Sequence, residues 1–407
     1  MNWNVNIKRR NIKRETSKHS VPRHRKDWVK AMGAFTWVPA YCWQRIVREA
    51  APRPFHVVMA IADHFEPYIA PGRPKNFVSR SEQILRVQNW CQRYPQVFDR
   101  WRDRSSSSFK QSYFYAAEHY DAEIIHILSE HCHRGWGEIE IHFHHGISSP
   151  DTADNTRRSL ITFRDRLLAH GCLCHLDNLS DQRYGFVHGN WALANSAYGR
   201  FCGVDEEMQI LADTGCYADF TPPSAPSVAQ VRKINSLYEC KAPLDVRGAH
   251  RRGHDLVCGC TPTHFPLIVQ GPLALSFHRR KYGILPVLED SAITSANPPS
   301  PLRLKSWMNA RITVRGRPDW VFVKLHCPGM DPRDTPTLLG QHLVWVGFTR
   351  IRKTMVIDNL IWIKRGFQQV QAPTRVALYD IEKRRCLREI NLEQHRINIL
   401  FSIQRAD

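Results

Sequence analysis

The sequence has no run of about 18 uncharged apolar residues, which excludes a protein built on membrane-spanning helices. It also has no Cys-x-x-Cys pair, because Cys172-Leu173-Cys174 and Cys258-Gly259-Cys260 lack the two-residue gap of zinc ribbons and knuckles. The twelve cysteines are not spaced like a small secreted disulfide framework. We therefore expect reduced thiols in a cytoplasmic protein. No repeat of fixed period is visible, which argues against a solenoid.

Acidic residues are scarce: 38 Asp and Glu face 57 Lys and Arg, for a formal net charge of +19. Part of the excess is an N-terminal arm, since Met1 to Lys30 holds ten Lys or Arg and two acids, a net +8. The apolar run Ala31 to Trp43 follows without a small-x-small cleavage site, so it does not read as a signal peptide. We interpret residues 1–53 as a basic arm and an amphipathic lead-in. The arm either rests on an anionic membrane or polyanion, or is a solvated tail.

What is present is the composition of a globular protein, with 43% hydrophobic residues in 407. From Phe55 onward, apolar runs typical of strands buried on both faces alternate with helical patterns, which predicts parallel β/α units. We expect an α/β fold, a parallel and incomplete, seven-stranded β/α barrel over residues 54–340. Residues 341–407 do not follow this pattern and are expected to form a C-terminal extension.

Ionisable side chains repeatedly stand at the ends of these predicted strands. In parallel β/α barrels the carboxyl ends of the strands meet on one face, where catalytic groups collect. The sequence therefore predicts a single active site. The strand-end groups are Asp63, His142, His144, His188, Asp219 and His326, with Glu66 and Glu118 as further polar groups of less weight.

The segment Gly137 to Gly146 (GEIEIHFHHG) ends in three histidines. On an extended strand His142 and His144 face one side, about 6 to 7 Å apart, and can share a metal ion. The alternative is a run of histidines at a sheet edge with no ligand. The matching groups on other strands favour a metal site, with His145 as the substitute ligand if the strand bulges or ends early.

A catalytic zinc takes about three protein ligands and leaves one position for water. His142, His144 and either Asp63 or His64 satisfy that count. Hydrolysis also needs a base and an acid, for which Asp63 and His326 are the candidates. The alternatives are a loop-capping role for Asp63-His64 and a buried structural role for His326.

This order of segments resembles the polysaccharide deacetylase superfamily, the chitin-deacetylase-like carbohydrate esterases. The residues that support it are Asp63-His64, His142-Phe143-His144-His145, His188-Gly189-Asn190-Trp191, the segment Asp213 to Asp219, and Lys324-Leu325-His326. The resemblance covers about Phe55 to Gly340 and rests on the order of the segments. It implies a β/α barrel that binds a divalent metal, zinc, and removes an acyl group from a polysaccharide or its precursor through a metal-bound water.

The chain departs from that family at two places. The family's early pair is usually Asp-Asp, a base and then a metal ligand, whereas this chain has Asp63-His64. The second family histidine usually follows the first by four positions, where this chain has Gly146. The ligand set therefore stays open among Asp63, His64, His142, His144 and His145.

Several residues near the predicted metal site suit a carbohydrate substrate, since they combine aromatic faces with hydrogen-bonding edges. They are His188, Asn190, Trp191, Tyr217 and Asp219. Two other functions remain: a polyanion-binding protein on an inactive barrel, and a glycoside hydrolase, which needs two opposed carboxylates. No recognised nucleic-acid motif is present.

Overall fold

The computed structural model describes residues 36–52, 55–70, 77–99, 110–173 and 183–339, together with the backbone of three short strands beyond them. The basic arm predicted at residues 1–30 lies outside the described residues, as do Cys174 and most of the predicted C-terminal extension. Within the described part of the chain, no helix is long and apolar enough to cross a membrane.

Strands and helices alternate from His56 to Asp219, as the sequence predicted, whereas from Cys216 to Glu289 strands follow one another without an α-helix between them. The strands are β1 His56–Phe65, β2 Gln111–Ala116, β3 Gly137–Phe143, β4 Tyr184–His188, β5 Cys216–Asp219, β6 Leu237–Cys240, β7 Gly253–Asp255, β8 Leu267–Val269, β9 Ala274–Lys281, β10 Leu285–Glu289, β11 Trp320–Cys327, β12 Ile357–Asp358, β13 Arg375–Asp380 and β14 Arg385–Asn391. The helices are α1 at 36–47, α2 Arg80–Phe98, α3 Ala122–His131, α4 Ala153–Ala169, α5 Glu207–Asp213, α6 Pro301–Asn309 and α7 Thr335–Leu339.

Helix starts follow local capping chemistry. The Asp121 carboxylate accepts from the backbone N–H groups of Glu123 and Ile124 at the start of α3. At the start of α4, Thr152 is the cap and accepts from the N–H of Asn155. Asp151 is consequently available for a role in a side-chain cluster described below.

The main sheet has the strand order β11-β1-β2-β3-β4-β5-β8-β6-β7. Each pairing from β11 to β8 in that order is parallel, and β6 pairs antiparallel with both β8 and β7. Helices α2 to α5 each connect two successive parallel strands. This mixed, mostly parallel architecture confirms the predicted α/β class.

The sheet is curled. Lys324 on β11 donates from Nζ to the carbonyl oxygen of Phe220, just after β5, at 2.7 Å. In a flat sheet, strands that far apart in the order would be separated by more than about 20 Å, because neighbours lie about 4.8 Å apart. The bond therefore crosses the inside of the curl.

The two sides of the curled sheet are buried differently. Ile61, Tyr113 and Ile141 belong to a core shared with the helices, whereas Ala62, Phe114 and Val187 pack inside the curl. The parity of a residue along its strand thus decides on which side it lies. The interior also holds the polar chains Glu140 and Lys324, both 2% exposed or less.

Strand β1 is longer than predicted. The sequence suggested that it stops at Asp63-His64, but it continues to Phe65 and pairs with β2 through that residue. Asp63 therefore shares a side with Ile61 and Phe65, and His64 points inside with Ala62. The Asp63 carboxylate accepts from the N–H of Gly329 at 2.6 Å and from Gln111 Nε2, and so anchors the loop that follows β11.

Three strands of the predicted extension at 341–407 are among the described residues. β12 pairs in parallel with Val57 and Val58 of β1, so this part of the tail joins the main sheet. β13 and β14 form a separate antiparallel pair.

Asp63 should make stability depend on pH. Burial raises the pKa of its carboxyl to about 7, so the folded state binds a proton that the unfolded state loses near the ordinary value of 3.8. This contribution is fully present below pH 3.8 and is lost as pH rises through 7. We expect Asp63→Asn, compared with wild type in urea unfolding, to gain relative stability over that window, by at most about 1.4 kcal/mol per pH unit.

The matched variant is Asp63→Ala, which leaves the Gly329 N–H without its acceptor and should lose about 1 to 3 kcal/mol at pH 5. A difference between wild type and Asp63→Asn that does not change with pH would contradict the assignment.

Candidate functional site

Three side chains meet at the carboxyl edge of the parallel strands, inside the curl. Glu66 follows β1, His142 lies in β3, and His144 directly follows β3. Glu66 Oε1 is 3.8 Å from His142 Nε2 and 3.4 Å from His144 Nε2, and the two imidazole rings lie 4.4 Å apart. These three side chains could hold a metal ion. We call them the open cluster, because His144 and Glu66 are partly exposed to solvent.

Hydrogen bonds orient both histidines of the open cluster. His142 Nδ1 lies 2.9 Å from the carbonyl oxygen of Val187, which can only accept, so Nδ1 carries the proton. His144 Nδ1 lies 2.6 Å from Glu118 Oε1. When both imidazoles are neutral, the lone pair of Nε2 in each ring then faces Glu66. His142 Nε2 is buried and has no hydrogen-bond partner among the described residues, as expected of an atom arranged to bind a cation.

The protonation preferences of the open cluster differ. Burial, together with the charges of His144 and His64, holds the pKa of His142 well below its usual value. Burial also acts against protonated His144, but the hydrogen bond to Glu118 and the charge of Glu66 outweigh it and raise the pKa. Burial raises the pKa of Glu66. Since burial disfavours the charged carboxylate, a bound cation would stabilise it.

His64, His326 and Trp191 surround the open cluster. The His64 ring lies 4.7 Å from that of His142, 6.1 Å from that of His326 and 6.5 Å from that of Trp191. Burial lowers the pKa of His64 to about 3 and holds that of His326 well below its usual value, so both imidazoles are neutral at pH 7. Trp191 is 40% exposed and forms an aromatic wall at the mouth of the site.

The loop that carries Trp191 can lie close to the open cluster because residue 189 is glycine. A Cβ on Gly189 would lie 2.2 Å from His144 Cδ2 and 2.9 Å from its Cα. Only a residue without a side chain lets the loop after β4 pack on the His144 ring. Asn190 and Trp191 follow with φ values of 57° and 58°, an uncommon conformation that the surrounding loop must stabilise.

A second group lies on the helix side of the sheet, formed by His145, His188, Cys202 and Glu207. We call it the buried cluster, since each residue is buried and their ligand atoms lie within 4.8 Å of one another. His145 Nε2 is 3.0 Å from His188 Nε2 and 2.9 Å from Glu207 Oε1. This group too could hold a metal ion.

The structure separates the metal ligands predicted from the sequence. His142 and His144 lie in the open cluster, with His64 beside it. His145 belongs to the buried cluster instead, because its parity on β3 matches that of Phe143, on whose ring it stacks. Asp63 faces the helices and Gly329, so the proposed base and ligand does not face the histidines.

The predicted substrate residues also divide. Asn190 and Trp191 lie at the mouth of the open cluster, and Trp191 is exposed. His188, Tyr217 and Asp219 are at most 1% exposed. The Tyr217 hydroxyl donates to Glu140 Oε1, and the Asp219 carboxylate accepts from the hydroxyl and the N–H of Thr221. These three side chains are therefore buried within the protein, away from solvent.

Sequence reasoning gave little weight to Glu66 and Glu118 and none to Cys202 and Glu207. The signal for Glu66 was its position two residues after His64, which gives it the same parity on an extended chain. Cys202 and Glu207 lie in a loop and at the start of a short helix, where no periodic pattern marks them.

No protein-family model, curated protein or solved structure matches this chain. The resemblance to polysaccharide deacetylases therefore remains a hypothesis that rests on the order of the segments and on the chemistry of the site.

The packing of Gly189 on His144 gives a direct test. Gly189→Ala should displace the His144 ring and lower the affinity of the open cluster for Zn²⁺ by about tenfold or more, measured by titration with a competing chelator. Gly283→Ala, in the turn between β9 and β10, is the control: its φ of 73° makes alanine strained there, but a Cβ meets nothing within 4 Å, so the effect stays local to that turn. Equal affinities in the two variants would show that His144 does not depend on this contact.

Proposed function

We propose that the protein is a metal-dependent hydrolase that removes an acyl group, through amide or ester cleavage, from a polysaccharide or its precursor. The observation that supports this most strongly is the buried His142 Nε2, which faces Glu66 and His144 and finds no hydrogen-bond partner in the described part of the chain. A nitrogen lone pair left in this state is costly unless it binds a cation.

Glu66, His142 and His144 would hold the ion, and zinc suits two imidazoles and a carboxylate. When bound, a divalent ion supplies Lewis-acid polarisation of the acyl carbonyl and a lowered pKa for a water molecule. Glu118 and the Val187 carbonyl keep the two imidazoles in the tautomer that presents Nε2. These two contacts position the ligands and need not touch the substrate.

Proton transfer falls to the two histidines beside the open cluster. Because Asp63 faces the other side of the sheet, His64 is the candidate to accept the proton of the attacking water. The proton taken up by His64 would pass to His326, whose ring lies 6.1 Å away, and from there to the departing amine or alcohol. Neutral imidazoles suit both tasks, since each can take a proton and return it.

The substrate class follows from the shape of the mouth. Trp191 offers an exposed aromatic face within 6.5 Å of His64, and sugar rings stack on such faces. Asn190 adds a hydrogen-bonding edge beside it. An acylated carbohydrate would therefore place its acyl group at the open cluster and its ring on Trp191.

Removing the metal ligands should abolish hydrolysis. We expect the His142→Ala, His144→Ala double variant to lose about one equivalent of bound metal. Its kcat/KM on acetylated oligosaccharides and acyl esters should fall by about 10³-fold or more, because the ion provides several kcal/mol of transition-state stabilisation. The measurements are elemental analysis of the purified protein and acetate release.

The matched control is His126→Ala, an exposed histidine of α3, which should leave both measurements unchanged. Asp63→Asn should retain activity within about tenfold. Wild-type protein that releases no acyl group but cleaves glycosidic bonds would favour a glycoside hydrolase. Tight polyanion binding without turnover or bound metal would favour an inactive binding protein.

Trp191 should act on substrate binding rather than on chemistry. Trp191→Ala is expected to raise KM about five- to tenfold on an acetylated oligosaccharide, while kcat changes less than about twofold, because the lost stacking is worth about 1 kcal/mol. Trp43→Ala in α1 removes a tryptophan that is more exposed, at 64% against 40% for Trp191, and serves as the control. A fall in kcat at constant KM would assign Trp191 to the chemical step instead.

A further inference from the structure

The buried cluster is assembled from four separate segments of the chain. His145 follows β3, His188 ends β4, Cys202 lies in the loop that follows, and Glu207 begins α5. His188 and Glu207 are 0% exposed and His145 is 5% exposed. Polar groups this deeply buried must satisfy one another or bind an ion.

The two imidazoles of the buried cluster present the same nitrogen to the same point. His145 Nδ1 lies 3.0 Å from Asp151 Oδ2, and His188 Nδ1 is hydrogen-bonded to the carbonyl oxygen of Gly189. A proton on each Nδ1 leaves both Nε2 lone pairs directed inward, 3.0 Å apart. Two lone pairs at this distance repel unless a proton or a cation lies between them.

A thiol and a carboxylate complete the group. Cys202 Sγ lies 3.5 Å from Glu207 Oε2, and Glu207 Oε1 is 3.4 Å from His188 Nε2. One sulfur, two imidazole nitrogens and one carboxylate oxygen form a closed set of four, the coordination number of structural zinc, and zinc binds each of these ligand types. The pair Asp151–His145 adds the carboxylate that commonly orients a zinc-bound imidazole.

We propose that the buried cluster is a structural zinc site formed by His145, His188, Cys202 and Glu207. It differs from the open cluster in having no access to solvent and in containing a thiolate. The proposal does not rest on the proposed hydrolase function, because none of its four ligands belongs to the open cluster.

The site would hold the loop that carries Trp191. Between His188 and Cys202 the loop contains Asn190, Trp191, Ala194, Asn195, Tyr198 and Phe201, all non-glycine residues with φ between 49° and 63°. Such conformations persist only where the surroundings enforce them. His188 and Cys202 bracket this loop, and Glu207 Oε2 accepts from the N–H of Ala194 at 2.6 Å. The bound ion would therefore hold this loop in place, and with it Trp191 at the mouth of the open cluster.

Cobalt substitution distinguishes the two clusters, because only the buried cluster contains a sulfur ligand. We expect wild-type protein loaded with Co²⁺ to show the near-ultraviolet thiolate-to-cobalt charge-transfer band. The His142→Ala, His144→Ala double variant should keep the band with full intensity. Cys202→Ser should lose it, together with about one equivalent of zinc in elemental analysis.

Cys216→Ser is the matched control, since Cys216 is also fully buried and its Sγ contacts the carbonyl oxygen of Ala218, as Cys202 contacts that of Val204. It should retain both the band and the zinc. Absence of the band from wild-type protein, or its persistence in Cys202→Ser, would overturn the proposal. Loss of the band in properly folded Cys216→Ser would overturn it as well.

Two further measurements keep the proposal testable if Cys202→Ser does not fold. X-ray absorption of the zinc-loaded His142→Ala, His144→Ala variant should show one sulfur neighbour per ion, and only nitrogen and oxygen neighbours would overturn the site. Asp151→Asn should weaken zinc binding about 10- to 100-fold while the cobalt band keeps its position. An unchanged affinity would show that Asp151 does not orient a metal ligand. If the open cluster proves empty, the cobalt band still decides this site independently.

Discussion

The alternation of side chains across β1, β3 and β4 is the constraint on which both clusters depend. Because neighbouring residues of a strand face opposite sides, His142 and His144 lie inside the curl and His145 stacks on Phe143 toward the helices. The same rule separates His64 from Asp63. A shift of one residue in the register of β3 would move His142 and His144 to the helix side and His145 into the curl, so that neither cluster would form.

The two clusters lie on opposite sides of the same backbone segments. His144 of the open cluster directly precedes His145 of the buried cluster. His188 of the buried cluster directly precedes Gly189, on which the His144 ring packs, while the His188 ring faces the other side of the sheet. Any movement of the loop after β4 would therefore act on both groups together. The packing on the helix side of the sheet therefore affects the shape of the open cluster.

Deep burial of charge is a general feature inside the curl. Burial lowers the pKa of Lys324 to about 7 and raises that of Asp219 to about 7, and the two groups partly offset each other across the interior. Lys324 still spans the curl by donating to the Phe220 carbonyl. Buried polar chains of this kind destabilise the fold unless each is paired, so they hold the strands in one relative position at a cost in stability.

The sequence by itself determined the α/β class, the order of most strands and helices, and the pairing of His142 with His144, because hydrophobic periodicity and strand parity are local properties. The tertiary structure decided the rest. The length of β1 turned Asp63 away from the histidines, and the curl brought His326 beside His64. Cys202 and Glu207 joined His145 and His188 through a loop whose path depends on long-range packing, which no local pattern records.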